Sequence, residues 1–266
     1  MKRLQLLEIS DQHCFPDFMR KGVIETLSLS INLFGFYKGI THLLSEALQK
    51  SGDTRIVDLC SGGGGPWWTL HKQLPATAQA KDIHLTDLHP NTSALSTLKE
   101  KSSGKVSFST TSVSATNMPE DLQGFRTLFS SFHHFEPSQA KAILADAVRA
   151  KQGIAIFEFT HRSILAMLMM ALSAPLGPLV MVPFMRPFDI RQIIFTYLIP
   201  LIPLVAGFDG VVSCMRTYNP AELQAMTDEF NNENYQWKTG TIRSGLSPFP
   251  VTYLIGIPPD QKALQE

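Results

Sequence analysis

Apolar residues recur along this chain with two different periods, and the alternation between them outlines the fold. Within residues 15–50 the period is helical, with Ile40, Leu43, Leu44, Ala47 and Leu48 on one stripe and Lys50-Ser51-Gly52-Asp53 ending the run. Ile56 and Val57 then open a short β-forming run that Asp58 closes. Further strands are expected at 82–87, 105–113, 125–132 and 153–160. Helices are expected between them, at 66–74, after His89-Pro90-Asn91, and from Pro137. The last has Ala140, Ile143, Leu144, Ala147 and Val148 as its buried stripe. Strand and helix taking turns in this way predict a parallel sheet. Near the end, 220–230 reads as a helix with Pro at its start and an acidic first turn. Residues 235–243 and 251–258 alternate in part around a loop with Gly245 and Pro248, which predicts an antiparallel hairpin.

One stretch breaks this rhythm. Residues 163–185 carry no charge, nor do 192–208, and Arg186, Asp189 and Arg191 stand between them. The first stretch is long enough to cross a bilayer, which takes about 20 apolar residues. Pro175, Pro178 and Pro183 interrupt it, and Pro200 and Pro203 interrupt the second. An interior proline costs a helix about 3 kcal/mol, so both are expected to be broken helices. A hydrophobic lid over a site and a hairpin dipping into a membrane face are both open. Two full spans are disfavoured, because the charged RPFDIR turn would have to cross.

Composition narrows the function. Lys+Arg and Asp+Glu are 23 each, for a formal net charge of zero. That argues against a nucleic-acid binder relying on phosphate neutralisation. Cys14, Cys60 and Cys214 are odd in number and form no CxxC pair, so no metal site or disulfide framework is expected. The N-terminus has only a very short apolar run and does not read as a signal peptide. A cytoplasmic location is expected, with association at the cytoplasmic membrane face as an alternative.

The chemistry centres on RIVDLCSGGGGPWW, residues 55–68, where a strand runs into a glycine turn and a helix start. A dinucleotide fingerprint would need a third glycine where Trp67 stands, and a phosphate loop would need a Gly-Lys-Ser/Thr end that is missing. Asp58-x-Cys60-x-Gly62-x-Gly64 instead resembles motif I of the class I S-adenosylmethionine (SAM) dependent methyltransferases. Asp87 falls about where an acidic residue holding a ribose is expected, ~20 residues on. The resemblance is strong over 53–150 and moderate over 151–160 and 219–258. It implies an α/β, Rossmann-like seven-stranded sheet, mostly parallel with an antiparallel terminal hairpin, plus the hydrophobic helical insertion. The expected organisation is a helical lead-in at 1–52, a SAM-binding core at 53–160, the insertion at 161–218, and a helix and hairpin at 219–266 completing the core. The resemblance implies cofactor contacts at Asp58, Cys60, Gly62, Gly64, Asp87, Leu88, Ala115, Thr116, Ser131 and His133. The stretch 114–119 lacks the acid often found there in the family.

Asp58, Asp87, His133 and Glu158 all fall at or near carboxyl ends of expected strands, where ligands of parallel sheets bind. His133, His134 and Glu158 are the catalytic candidates, the histidines for their near-neutral pKa. As neighbours they are expected to point different ways, with one of them facing the pocket. His161 is a lesser candidate for the base. Met19 and Tyr37 are candidates to close over a cofactor. Arg216 and Tyr218 read as structural more than substrate-binding. The implied activity is methyl transfer from SAM to a small, partly apolar acceptor. A non-catalytic SAM-binding or membrane-associated scaffold is the alternative. An aminopropyl transferase or nicotinamide enzyme on the same fold ranks lower.

Overall fold

The computed structural model describes residues 1–74, 80, 82–185 and 188–259; Arg186, in the charged turn of the insertion, and the expected tail past 259 lie outside them. Ten helices and seven strands are described. Helix α1 (Asp17–Leu33) and α2 (Thr41–Ser51) come first, so the expected single lead-in is broken by Gly35, whose φ is +62°. Gly52 ends α2 in the left-handed conformation, φ 74°, with its N–H bonded to Leu48 O, as a glycine after a helix commonly does.

The core then alternates. Strand β1 (Arg55–Leu59) leads to α3 (Trp67–Gln73), β2 (Asp82–Leu85), α4 (Thr92–Lys101) and β3 (Val106–Phe108). Strand β4 (Phe125–Phe129), α5 (Pro137–Arg149) and β5 (Ile154–Glu158) come next. The third and fourth strands are shorter than their apolar runs, and 132–134 form a 3₁₀ turn. Helix α5 starts as its residues dictate: Glu136 and Gln139 make a reciprocal capping box around Pro137.

The insertion holds α6 (Ile164–Ser173), α7 (Leu176–Met181), α8 (Ile190–Ile193) and α9 (Leu201–Arg216). Its helices break at Pro175 and Pro200, while Pro203 is tolerated in the first turn of α9. Helix α10 (Pro220–Thr227) and strands β6 (Gln236–Ile242) and β7 (Val251–Ile257) close the chain.

All seven strands form one sheet in the order β3-β2-β1-β4-β5-β7-β6. The first five are parallel, and β7 runs antiparallel to both β5 and β6. One face is buried under α2, α3 and α4, through Leu44, Leu48, Trp67, Leu70, Leu95 and Leu98. The other lies under α5 and α10. Strand order reverses between β1 and β4, and such a switch point leaves a crevice beyond the strand ends.

Helix α1 sends Ile31 into the core shared with α2 and the sheet, but its first turns join the insertion, with Met19 and the preceding Phe15 buried against Ile202 and Val205 of α9. Much of the insertion's apolar surface faces outward: Ile164, Leu165, Leu168, Leu172, Leu176, Val180, Phe184, Leu198 and Leu204 are exposed. The run Ile164–Phe184 has mean hydropathy 2.0 and only 11% of its most apolar window is buried. It is long and apolar enough to cross a membrane. The second stretch bends by 75° between Ile190–Leu198 and Leu201–Arg216.

Candidate functional site

The turns at the carboxyl ends of β1, β2, β4 and β5 bound the space beyond the switch point. After β1 and β4, Cys60 and Ser130 adopt left-handed backbone, φ 57° and 47°. Non-glycine residues rarely do so, and such strain gathers where a ligand or a turn demands it. Ser61 N–H donates to Thr86 O at 2.9 Å, and Gly62 N–H to Asp87 Oδ2 at 2.7 Å. Asp87 Oδ1 accepts from His89 N at 2.7 Å. The carboxylate therefore ties the glycine turn to the end of β2. It is half-buried, and each oxygen keeps a lone pair for another donor. Leu88 beside it is 51% exposed, an apolar side chain standing free at the crevice rim.

Asp58 is placed differently. It is buried beneath the turn, with Ser61 Oγ donating to Oδ2 and Thr127 Oγ1 to Oδ1, each at 2.6 Å. It shapes the turn from below. Burial raises its carboxyl to about 7. An acid whose folded pKa lies above its unfolded value loses stabilisation as pH rises between the two. The chain is therefore expected to lose stability from about pH 4 to pH 7, and Asp58→Asn to flatten that slope. Urea unfolding across this range is the check; an unchanged slope in Asp58→Asn would count against the assignment.

Ser131 Oγ is buried beside the Cys60 thiol and has no hydrogen-bond partner of ordinary geometry among the described residues. Burial pushes the Cys60 thiol upward, so it is no nucleophile. Ala115 is buried in the core, while Thr116 Oγ1 lies 3.0 Å from Ser114 Oγ on the neighbouring loop. Met19 and Tyr37 are also core residues, with Tyr37 donating to Phe157 O. His161 stacks on Phe249, and Tyr218 donates to Phe135 O.

Helix α1 overlies the glycine turn, a contact that sequence reasoning missed. Ser28 Oγ and Asn32 Nδ2 donate to Gly65 O at 3.0 and 2.8 Å. A Cβ on Gly62 would stand 3.3 Å from Ile24 Cγ2, and one on Gly64 would stand 2.7 Å from Leu98 Cδ2. Gly64 is required by its backbone, φ +99°, with Leu98 of α4 close beside it, while Gly62, φ +53°, sits under α1. The helical period of 15–50 was visible, but nothing local says which turn its first part covers.

At the ends of β4 and β5 lies a buried ionic cluster. His133 Nδ1 is 2.7 Å from Glu158 Oε2, and Glu158 Oε1 accepts from Phe132 N and His133 N at 2.8 and 3.2 Å. Burial pushes the Glu158 carboxyl up, but the His133 charge and hydrogen bonds hold it below its usual value. Glu8 and Asp11 reach in from the N-terminal segment, and Arg216 from the end of α9, with Arg216 Nη1 3.2 Å from both Glu8 Oε1 and Asp11 Oδ2. Against the opposing push of burial, the His134 hydrogen bond and charge hold Asp11 at about 2. Burial pulls the His134 pKa down, but the Glu8 and Asp11 carboxylates outweigh it and leave the imidazole above its usual value. The histidine rings do not diverge, as neighbours in an extended strand would. They lie tilted by 30° with centroids 4.4 Å apart, and both reach toward Glu8.

The three strand-end acids and His133 thus divide into three settings. Asp87 lines the crevice, Asp58 lies beneath it, and His133 with Glu158 forms the separate cluster.

No family model matches the chain, and no curated protein matches it by sequence. Solved structures do. The plantazolicin methyltransferase BpumL in complex with SAH superposes with TM-score 0.57 at 14% identity, covering 92% of each chain. An O-methyltransferase family protein from Burkholderia thailandensis gives 0.50 at 13% identity, over 91% of this chain and 60% of that one. A protein from Rhodobacter sphaeroides described as a Zn-dependent alcohol dehydrogenase gives 0.51 at 10% identity, over 91% and 98%. The strand order, the reversed last pair and these likenesses together show the class I SAM-dependent methyltransferase fold.

Proposed function

We propose that this chain transfers a methyl group from SAM to a small, partly apolar acceptor. The observation that carries the reading is the Asp87 carboxylate, which stands at the end of β2 tied to the glycine turn with lone pairs to spare. The residues present suit a nucleoside. Asp87 would take both ribose hydroxyls, exposed Leu88 would lie against the base, and the unpaired Ser131 hydroxyl is free to bond the cofactor. Ile24 of α1 shares the space above Gly62, so α1 would bound the cofactor on that side.

SAM, when bound, brings a methyl group already activated on a sulfonium. What remains for the chain is to hold the acceptor in line, and orientation of this kind supplies about 7–11 kcal/mol. Helix α1 and the N-terminal segment exclude water from the strand ends, and the His133–Glu158 pair holds the end of β4 in place. Calorimetric titration with SAM and with S-adenosylhomocysteine tests the reading. Binding in the nanomolar-to-micromolar range supports it, and absence of binding to either favours the scaffold alternative.

The acceptor's apolar character rests on the insertion. Its Leu, Ile and Phe side chains are exposed along an uncharged stretch, and exposed apolar patches mark interaction sites. We therefore place this surface against the cytoplasmic membrane face, from which an apolar acceptor would be drawn. The wild-type chain is expected to float with liposomes, and the double substitution Leu168→Glu and Leu172→Glu to remain unbound. A wild-type chain recovered only in the liposome-free fraction would favour a lid confined to the protein.

A further inference from the structure

Methyl transfer leaves one buried feature unused. In the 3₁₀ turn at Phe132–His134 successive side chains should stand about a third of a turn apart. Instead the two imidazole rings are 4.4 Å apart with 30° between their planes, and both approach Glu8. His133 is 2% exposed. Its Nδ1 is engaged by Glu158, so in the neutral ring the lone pair is on Nε2. That nitrogen has no hydrogen-bond partner among the described residues and faces Glu8 Oε1 at 3.8 Å. That buried nitrogen is left without a partner among the described residues, while Glu8 Oε1 beside it accepts from Ser213 Oγ at 2.9 Å and pairs with Arg216 Nη1 at 3.2 Å.

We propose that Glu8, His133 and His134 form a site for a divalent transition-metal ion of zinc type. The ligand atoms would be a Glu8 carboxylate oxygen, His133 Nε2 and His134 Nδ1. One candidate ligand atom from each residue lies within 4.8 Å of the others. Ligands about 2.0–2.1 Å from one zinc ion stand about 3.3–3.4 Å apart at tetrahedral angles, so 3.8 Å between Nε2 and Oε1 needs only a small inward shift. His134 Nδ1 lies 3.9 Å from Glu8 Oε2. Two imidazoles and one carboxylate favour zinc and its neighbours over calcium or magnesium. Glu158 behind His133 Nδ1 supplies the outer carboxylate that metal-bound histidines commonly have.

Charge agrees. Glu8, Asp11 and Glu158 bring three carboxylates, and Arg216 brings the one guanidinium within salt-bridge distance of Glu8 and Asp11 among the described residues. Any further positive charge must come from protons on the imidazoles or from a bound ion. His134 Nδ1 hydrogen-bonds Asp11 at 3.0 Å; on binding an ion it would give up that proton, leaving Asp11 to serve as a fourth ligand or to hold a water in that position. The ion would fasten the N-terminal segment to the end of β4, across a sequence separation that hydrogen bonds from Arg3 and Gln5 already bridge.

The test uses the full chain, stripped with chelator and exchanged into chelator-free buffer. Titration with zinc chloride is expected to fill one site at micromolar or tighter affinity, and cobalt chloride to give the visible absorption of a tetrahedral site. Zinc is also expected to slow proteolysis of the first sixteen residues. Glu8→Ala and His134→Ala should each weaken zinc binding by about 100-fold or more. Glu158→Gln should do so by about 10–100-fold, as outer partners do. Asp82→Asn, at the far end of β2, should leave it unchanged. No stoichiometric binding of either metal by the wild-type chain overturns the proposal, as does binding that survives in Glu8→Ala and His134→Ala. The wild-type cobalt spectrum and proteolysis decide the matter even if a variant fails to fold.

Discussion

Alanine at Asp87 is expected to lower SAM affinity by about 10²–10⁴-fold. A hydrogen bond to a charged group contributes about 1.5–3 kcal/mol. Two such bonds to ribose hydroxyls therefore amount to about 3–6 kcal/mol, at about 1.4 kcal/mol per factor of ten. The same substitution unties Gly62, whose N–H then loses its 2.7 Å acceptor. Asp87→Asn should lie between, because an amide oxygen can still accept from Gly62 but carries no charge. Asp82→Asn is the control: it opens β2, the strand that leads to Asp87, pairs with Arg55 at 3.0 Å and lies at the strand end away from the turn. Calorimetry on all three reads the difference. If Asp87→Ala binds SAM as tightly as the wild type, the ribose is held elsewhere and the proposed cofactor geometry fails.

Removing the Glu158 carboxylate is expected to cost about 3–5 kcal/mol of stability, the range for stripping one partner from a buried ionic pair. Its two oxygens accept from Phe132 N, His133 N and His133 Nδ1. In Glu158→Ala these buried donors have nowhere to turn, and an unmade buried hydrogen bond costs about 1–3 kcal/mol by itself. At roughly 2–4 °C per kcal/mol for a chain of 150–250 residues, Tm should fall by about 6–20 °C. Glu158→Gln keeps one oxygen and should fall less. Thermal unfolding monitored by circular dichroism is the measurement. A drop of under about 1 kcal/mol would mean that the turn after β4 is held by something other than this carboxylate.

Much of the core was legible because its signals are local. The glycine turn, Pro137 and Pro220 lie within a few residues of what they organise. Apolar spacing likewise places α2 and α5 without knowledge of any partner. The third and fourth strands came out shorter than their apolar runs. An apolar residue past a strand end can be buried as well in a turn, as Val113 and Phe132 are. Asp58 and Asp87 could not be told apart from their positions after strands, since only burial decides that one shapes the turn and the other lines the crevice.

The order of strand and helix, the closing hairpin and the glycine-bearing crevice come from periodicity and turn chemistry carried by the residues themselves. Tertiary packing alone decided that α1 covers the glycine turn, and that Glu8 and Asp11 meet the two histidines. Asp11 and His134 are 123 positions apart. Contacts at that separation leave no repeating pattern in either segment, because each side chain is selected by a partner that only the folded chain brings near.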